Sequence, residues 1–234
     1  MGGGTLRFDR PVDMHGKIDG YGTLVGTITN ENAIEVYDES AMTMAGNIIN
    51  NGEVSLDPSM FAYQGAGNFT QPASGRLVIP IRGTNAANMD FGQLKLDVNQ
   101  GIVSLGGTLE AQITEGYAPP VGASFPFLTS AGRSGTFSKV NLPQGMQLNY
   151  TSGGATLVVT GAVPVQIISP AVTNRQFQFG FNTISNRIYT VQYKDDLTTG
   201  TWTFLTNFTG NGSYWQEPPL TPLVAQRFFR VSNP

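Results

Sequence analysis

Between Leu24 and Ile113 the chain repeats a short apolar alternation many times and never offers the spacing of a helix. Ile34-x-Val36, Met42-x-Met44, Val54-x-Leu56, Phe61-x-Tyr63, Leu77-x-Ile79-x-Ile81, Leu94-x-Leu96-x-Val98, Val103-x-Leu105 and Leu109-x-Ala111-x-Ile113 all follow a period of two. Gly, Asn and Thr fill the gaps, as in Gly46-Asn47, Asn50-Asn51-Gly52 and Gly106-Gly107. Such an alternation, held for only a few residues at a time, describes a strand with one buried face. Equivalent positions return after roughly 17 to 23 residues, as expected of stacked coils that each bury an apolar face on the next. The expectation is an all-β chain: a right-handed β-solenoid (β-helix) with a β cap, followed by a small β-sandwich.

The expected boundaries follow the changes in texture. Residues 1–115 read as solenoid coils and 116–163 as the cap or end region. Residues 164–234 read as the sandwich module, joined at Val163-Pro164. In the end region Tyr117-Ala118-Pro119-Pro120 and Phe125-Pro126-Phe127-Leu128 bring the larger aromatics that an open coil edge needs to be covered. After Pro164 the strands become aromatic, as in Phe177-x-Phe179-x-Phe181 and Tyr189-x-Val191-x-Tyr193. Asn30, Asn32, Asn47, Asn50, Asn51 and Asn68 fall between strands, where a tight corner favours Asn in the left-handed conformation.

Composition narrows the function classes. Charged residues are 12% of the chain, about half the usual share. The net charge is −3 with no Lys/Arg cluster, which argues against nucleic acid and against an anionic membrane surface as partner. No apolar stretch is long enough to span a bilayer. The absence of cysteine fits a bacterial exported β protein, secreted or on the cell surface. Met1 to Phe8 contain neither a basic nor an apolar leader region, so no signal peptide is read there and the chain reads as beginning inside a fold. A first coil around Leu6 and Phe8 would then present an open end, and a homodimer through that coil, or a longer parent protein, is the expectation.

Several enzyme classes find no residues here. With one His and no Cys, neither a cysteine nucleophile nor an ordinary zinc site can be assembled, and no phosphate loop or nucleophile elbow occurs. What remains is acidic. Asp13, His15, Lys17 and Asp19 alternate against Val12, Met14, Gly16 and Ile18, so one strand face would carry acid, base and amine together. Glu35, Asp38 and Glu39 form the densest acidic group, with Asp57, Asp90 and Asp97 scattered beyond. Were the chain an enzyme, Asp13, His15, Asp19 and Glu35 would be its catalytic candidates. No cofactor is required, and calcium is the cation such carboxylates would take. The ordinary reading of the same residues is the solvated side of half-buried strands. Trp202 lies in strand texture and is expected to pack a core. Tyr214-Trp215 lies beside Gly210-Asn211-Gly212-Ser213 and is the candidate ligand-binding pair, since exposed aromatic faces stack on sugar rings; the ordinary reading is a pair that covers an open sandwich edge.

Two resemblances follow from longer patterns. Gly107-Thr108-Leu109, Tyr117-x-Pro119, Gly122-x-x-Phe125-x-Phe127-Leu128, Gly135-Thr136-Phe137, Tyr150 and Leu157-x-Val159 together resemble the end of autotransporter-associated β-helix passenger regions. That resemblance covers residues 20–160 and implies a solenoid fold in a large exported bacterial protein. The family's outer-membrane barrel is absent from this sequence. Tyr189-Thr190-Val191-Gln192-Tyr193, Asp196-Leu197, Trp202 and Arg227-Phe228-Phe229-Arg230-Val231 resemble carboxy-terminal fibronectin-III-like or sorting modules of verrucomicrobial and related secreted proteins. Two functions stand at this point. One is a non-catalytic segment of an exported surface protein, a stalk, adhesin or glycan-binding piece with a glycan or cell-surface ligand. The other is a calcium-assisted hydrolase or lyase acting on polysaccharide or a small ester or lactone.

Overall fold

The computed structural model describes residues 2–36, 41–57, 59–161, 165–174, 176–183, 187–198, 200–211, 213–216 and 226–232. Every regular element among them is a strand. The chain forms two compact units. One comprises Met1–Thr114 and Gly122–Thr160, the other Glu115–Val121 and Gly161–Pro234. Residues 115–121, read from sequence largely as the start of a cap, thus cluster with the second unit. The expected joint at Val163-Pro164 lies outside the described residues.

In the first unit the chain passes repeatedly between two sheets. The smaller has six strands, Lys17–Asp19, Ala33–Val36, Glu53–Leu56, Arg76–Ile81, Thr108–Ile113 and Lys139–Asn141. Each is parallel to the next, with Ile34 beside Val54, Val54 beside Leu77 and Leu77 beside Leu109. In the larger sheet Gly2–Arg7 and Val12–Met14 pair parallel with the ten-residue strand Tyr21–Asn30, which pairs with Ala41–Asn50, parallel and in register throughout. Each of these two strands bends at a central glycine, Gly26 or Gly46, where φ is positive. A side chain at Gly46 would meet the carbonyl oxygen of Gly26 at 1.9 Å, so only glycine lets the two bends stack.

Beyond the bend the two halves of Ala41–Asn50 take separate partners. Ala41 to Met44 pair with Met60–Tyr63, and Ile48-Ile49 with Phe69–Thr70. Each circuit of the chain therefore lays down three short strand segments, and like residues stack on like. Met42 lies on Phe61, Leu94 and Leu128 in turn; Ile28 lies on Ile48, Phe69 and Val103. All eight are buried. Strands of a sheet are about 4.8 Å apart, close enough for each apolar side chain to touch the one above and the one below.

The circuits are not of one length. Asn30 and Asn50 are equivalent at a separation of 20, but Asn68 and Ile102 at 34 and Ser104 and Ser134 at 30. The regular period expected from sequence holds for the first circuits only, because later ones carry excursions, such as residues 82–92, that leave the strand positions in phase. The stack ends where Ser124–Thr129 pairs antiparallel with Gly154–Val159, which pairs antiparallel with Met146–Thr151. That hairpin covers one edge of the larger sheet with strands that cannot continue the parallel pattern, while the opposite edge is the parallel strand Gly132–Gly135.

The expected left-handed asparagines are not found: none of Asn30, Asn32, Asn47, Asn50, Asn51 or Asn68 has positive φ. Glycines take the strained corners, and the asparagines bond along the stack. Asn30 Nδ2 donates to Asn50 Oδ1 (2.8 Å), and Asn50 Nδ2 donates to Gln71 Oε1 (3.0 Å). The same amides donate to corner carbonyls, Asn30 to Glu53, Asn50 to Arg76 and Gln71 to Gly106. Asn30, Asn50 and Gln71 are buried. A primary amide carries donors and an acceptor on one plane, so a column of them satisfies both its neighbours and the turning backbone.

The second unit has two three-stranded antiparallel sheets. One is Ile168–Thr173, Gln176–Asn182 and Tyr214–Gln216; the other is Thr203–Thr209, Ile188–Lys194 and Phe228–Ser232. Phe179, Phe181, Tyr189 and Val191 form a core between them, with Phe177, Phe208, Trp215 and Phe229 packed around it.

Candidate functional site

On the face opposite Ile34, Val54 and Leu77, two rows cross the six strands of the smaller sheet, exposed or half-buried except at Val78, which is buried. One runs Lys17, Ala33, Glu53, Arg76, Thr108, Lys139; the other Asp19, Glu35, Ser55, Val78, Glu110, Asn141. Lys17 Nζ lies 2.8 Å from Glu35 Oε2 and 3.7 Å from Asp19 Oδ2. The hydrogen bond to Glu35 raises the Lys17 pKa. Arg76 pairs with Glu53 and, at 2.7 Å, with Glu110. Gln112 Nε2 donates to Glu110 Oε1 as well (2.5 Å). The hydrogen bonds from Arg76 and then Gln112 hold the Glu110 carboxyl below the usual glutamate range. Glu110 is therefore held as an anion against a cation, the reverse of what a general acid requires.

Sequence reading missed this charged face because its members are far apart in the chain. Arg76 and Glu53 are separated by 23 residues and meet only through strand register. The one available signal was that Glu53, Arg76 and Glu110 each stand at an outward position of a strand.

The sequence candidates are divided rather than gathered. Residues 12–19 were read as one strand but form two, Val12–Met14 and Lys17–Asp19, in different sheets. Asp13 pairs beside Thr29, whereas Lys17 and Asp19 pair beside Ala33 and Glu35. The chain turns at the exposed His15-Gly16, and the His15 carbonyl accepts from Asn32 Nδ2 (3.0 Å). A corner between two sheets breaks the alternation that would have kept Asp13, His15 and Lys17 on one surface. Asp19 and Glu35 do meet, through Lys17. Asp38 and Glu39 lie outside the described residues. Asp90 and Asp97 accept from backbone N–H groups in their own turns, Asn85 and Asn99. Among the described residues no three His, Asp or Glu groups come together as ligands for a cation such as calcium.

In the second unit both tryptophans are half-buried, on different partners. Trp215 packs inward, its ring stacked 4.4 Å from Phe208 and 5.1 Å from Phe181. It is half-buried, packed on the core. Its neighbour Tyr214 points outward, 48% exposed. Trp202, expected in the core, instead carries the Arg230 guanidinium 4.5 Å from its ring centroid. Arg230 Nε also donates to Gln192 Oε1 (2.8 Å). Phe204, 57% exposed, is paired beside Gln192 on the adjacent strand. Trp202, Phe204, Gln192 and Arg230 thus form one outer surface patch of the sheet centred on Ile188–Lys194. Comparison with family models, with curated proteins and with solved structures found no match for this chain.

Proposed function

We propose that the chain is a non-catalytic segment of an exported bacterial surface protein. In this reading the first unit is a β-solenoid spacer with a β cap, and the second is a small β-sandwich carried by it. The observation that carries the reading is the buried amide column Asn30–Asn50–Gln71, which runs along the stack and ties three successive circuits together. A column of that kind reinforces the long axis of a rod rather than shaping a pocket. Right-handed winding is the hand that connections between parallel strands almost always take. Export is supported by a cysteine-free chain of low charge, clothed in polar uncharged residues. The non-catalytic reading is supported by acids held in ion pairs: Glu35 with Lys17, and Glu53 and Glu110 with Arg76.

Removing one coil tests the spacer. Residues 31–50 form one period, since Asn30 and Asn50 are equivalent positions. Their deletion joins Asn30 to Asn51 and keeps every later corner in phase. A stack of coils stays folded, with an all-β circular dichroism spectrum and a cooperative melt. A chain that unfolds on this deletion is not modular, and the solenoid reading fails. Release of reducing sugar from polysaccharides by the full chain would overturn the non-catalytic part.

A further inference from the structure

We infer that the outer face of the sheet formed by Thr203–Thr209, Ile188–Lys194 and Phe228–Ser232 binds an acidic saccharide, with Arg230 taking its carboxylate and Phe204 stacking on its ring. The inference is independent of whether the first unit is a spacer.

Tyr189 and Val191 are buried in the core, so the alternate residues Thr190, Gln192 and Lys194 face outward. Strand pairing sets Phe204 and Arg230 on either side of Gln192, and Asn207 beside Thr190. These six outward positions hold two cations and no carboxylate, which makes the patch complementary to an anion. The nearby Arg227 is different. Its guanidinium is engaged by both oxygens of Asp195, at 2.6 and 2.9 Å. Arg230 uses Nε on Gln192 and its flat face on Trp202, and its terminal nitrogens donate to no group among the described residues. Two contacts thus hold the guanidinium in one orientation while its fork stays open. That is the arrangement a carboxylate meets with two parallel hydrogen bonds.

The rest of the patch suits a sugar rather than a peptide or a free anion. Phe204 offers an exposed ring, and apolar C–H faces of pyranose rings pack on such surfaces. Around it Gln192, Thr190 and Asn207 supply short polar groups for hydroxyls. The patch is a sheet surface rather than a cleft, which fits a polymer lying across it.

Affinity electrophoresis of the full chain through gels containing polygalacturonate, with dextran as the neutral polymer, tests the inference. The chain is expected to be retarded by polygalacturonate and not by dextran. Raising the salt from tens to hundreds of millimolar should weaken the retardation, since the charges meet at an exposed surface. Arg230→Gln and, separately, Phe204→Ala should each weaken binding about tenfold, roughly the worth of a charge-assisted pair or a good ring contact. Lys139→Gln, in the first unit, should leave it unchanged. Circular dichroism spectra matching the parent chain show that each variant is folded, and Gln192→Ala gives a second route if one is not. Equal retardation in dextran, no retardation in polygalacturonate, or retardation untouched by Arg230→Gln and Phe204→Ala would each overturn the proposal.

Discussion

Replacing Asn50 by Ala should unfold the first unit far more readily than any exposed amide change. Asn50 makes three side-chain hydrogen bonds: it accepts from Asn30 (2.8 Å) and donates to Gln71 (3.0 Å) and to the Arg76 carbonyl (3.1 Å). A buried hydrogen bond contributes about 1 kcal/mol net, and removing one partner so that the other is left buried and unmet costs about 1 to 3 kcal/mol. Asn30 keeps a second acceptor in the Glu53 carbonyl, which limits its loss. Gln71 Oε1 and the Arg76 carbonyl lose the donor that Asn50 supplied. With about 1 kcal/mol for the bond from Asn30 and about 1 to 3 kcal/mol for each of the two acceptors left unmet, the sum is about 3 to 7 kcal/mol. Urea unfolding followed by circular dichroism reads it as a lowered midpoint at unchanged slope. Asn51→Ala is the control, because Asn51 bonds to Glu31 at the surface (2.7 Å) and its loss should cost under about 0.5 kcal/mol. The double variant Asn30→Ala, Asn50→Ala should cost about 1 kcal/mol less than the sum of the single ones, because both remove the same bond. A cost for Asn50→Ala no greater than for Asn51→Ala, or strict additivity in the double variant, would refute the idea that the column acts as one unit.

Other substitutions probe the remaining features. Gly46→Ala places a methyl 1.9 Å from the Gly26 carbonyl oxygen and should destabilise by more than about 2 kcal/mol, while Gly16→Ala, with open space around it, should be neutral in the same urea assay. Because the Glu110 pKa is lowered on folding, its ion pair contributes stability above the ordinary glutamate pKa of about 4.3, and that contribution is lost as pH falls through the lower folded value. Melting temperature against pH should therefore fall less steeply below about pH 4 in Arg76→Met than in the parent chain, with the Asp195–Arg227 pair common to both. Trp215→Ala should cost about 3 kcal/mol as a core deletion and Trp202→Ala under about 1 kcal/mol, measured by urea unfolding of each variant.

Burial is local information, and it was legible. Ile34, Val54, Leu77 and Leu109 were read as inward from their own neighbours, and each is fully buried. Register is not local. It depends on how many residues each circuit spends at its corners, and that number changes when residues 82–92 depart from the stack. Glu53, Arg76 and Glu110 could therefore be read as outward, but not as partners. The corner at His15-Gly16 was hidden for a related reason, since a strand that turns onto a second sheet keeps its alternation in sequence while its faces part company.

The outward turn of Phe204 has a more specific cause. In the strand Thr203–Thr209, Thr206 pairs with the buried Val191, yet Phe204 pairs with the outward Gln192. Two residues of the same parity oppose residues of opposite face, because Leu205 is one residue too many for its partner strand. A bulge of this kind reverses the face of everything on one side of it. Without it, Phe204 would share the inner face with Thr206 and Phe208. With it, Phe204 is turned to the surface beside Gln192 and Arg230, while Leu205 and Phe208 stay packed on the core. No alternation read along the strand reveals this, because the extra residue is defined only against its partner. The bulge does more than misplace an aromatic. It converts a strand whose aromatics would all have served the core into one that serves the core at one end and presents a ring to solvent at the other. The irregularity that defeats the sequence pattern thus creates the surface for which a ligand is proposed, and Phe204 is exposed there through pairing geometry rather than through any shortage of apolar space inside.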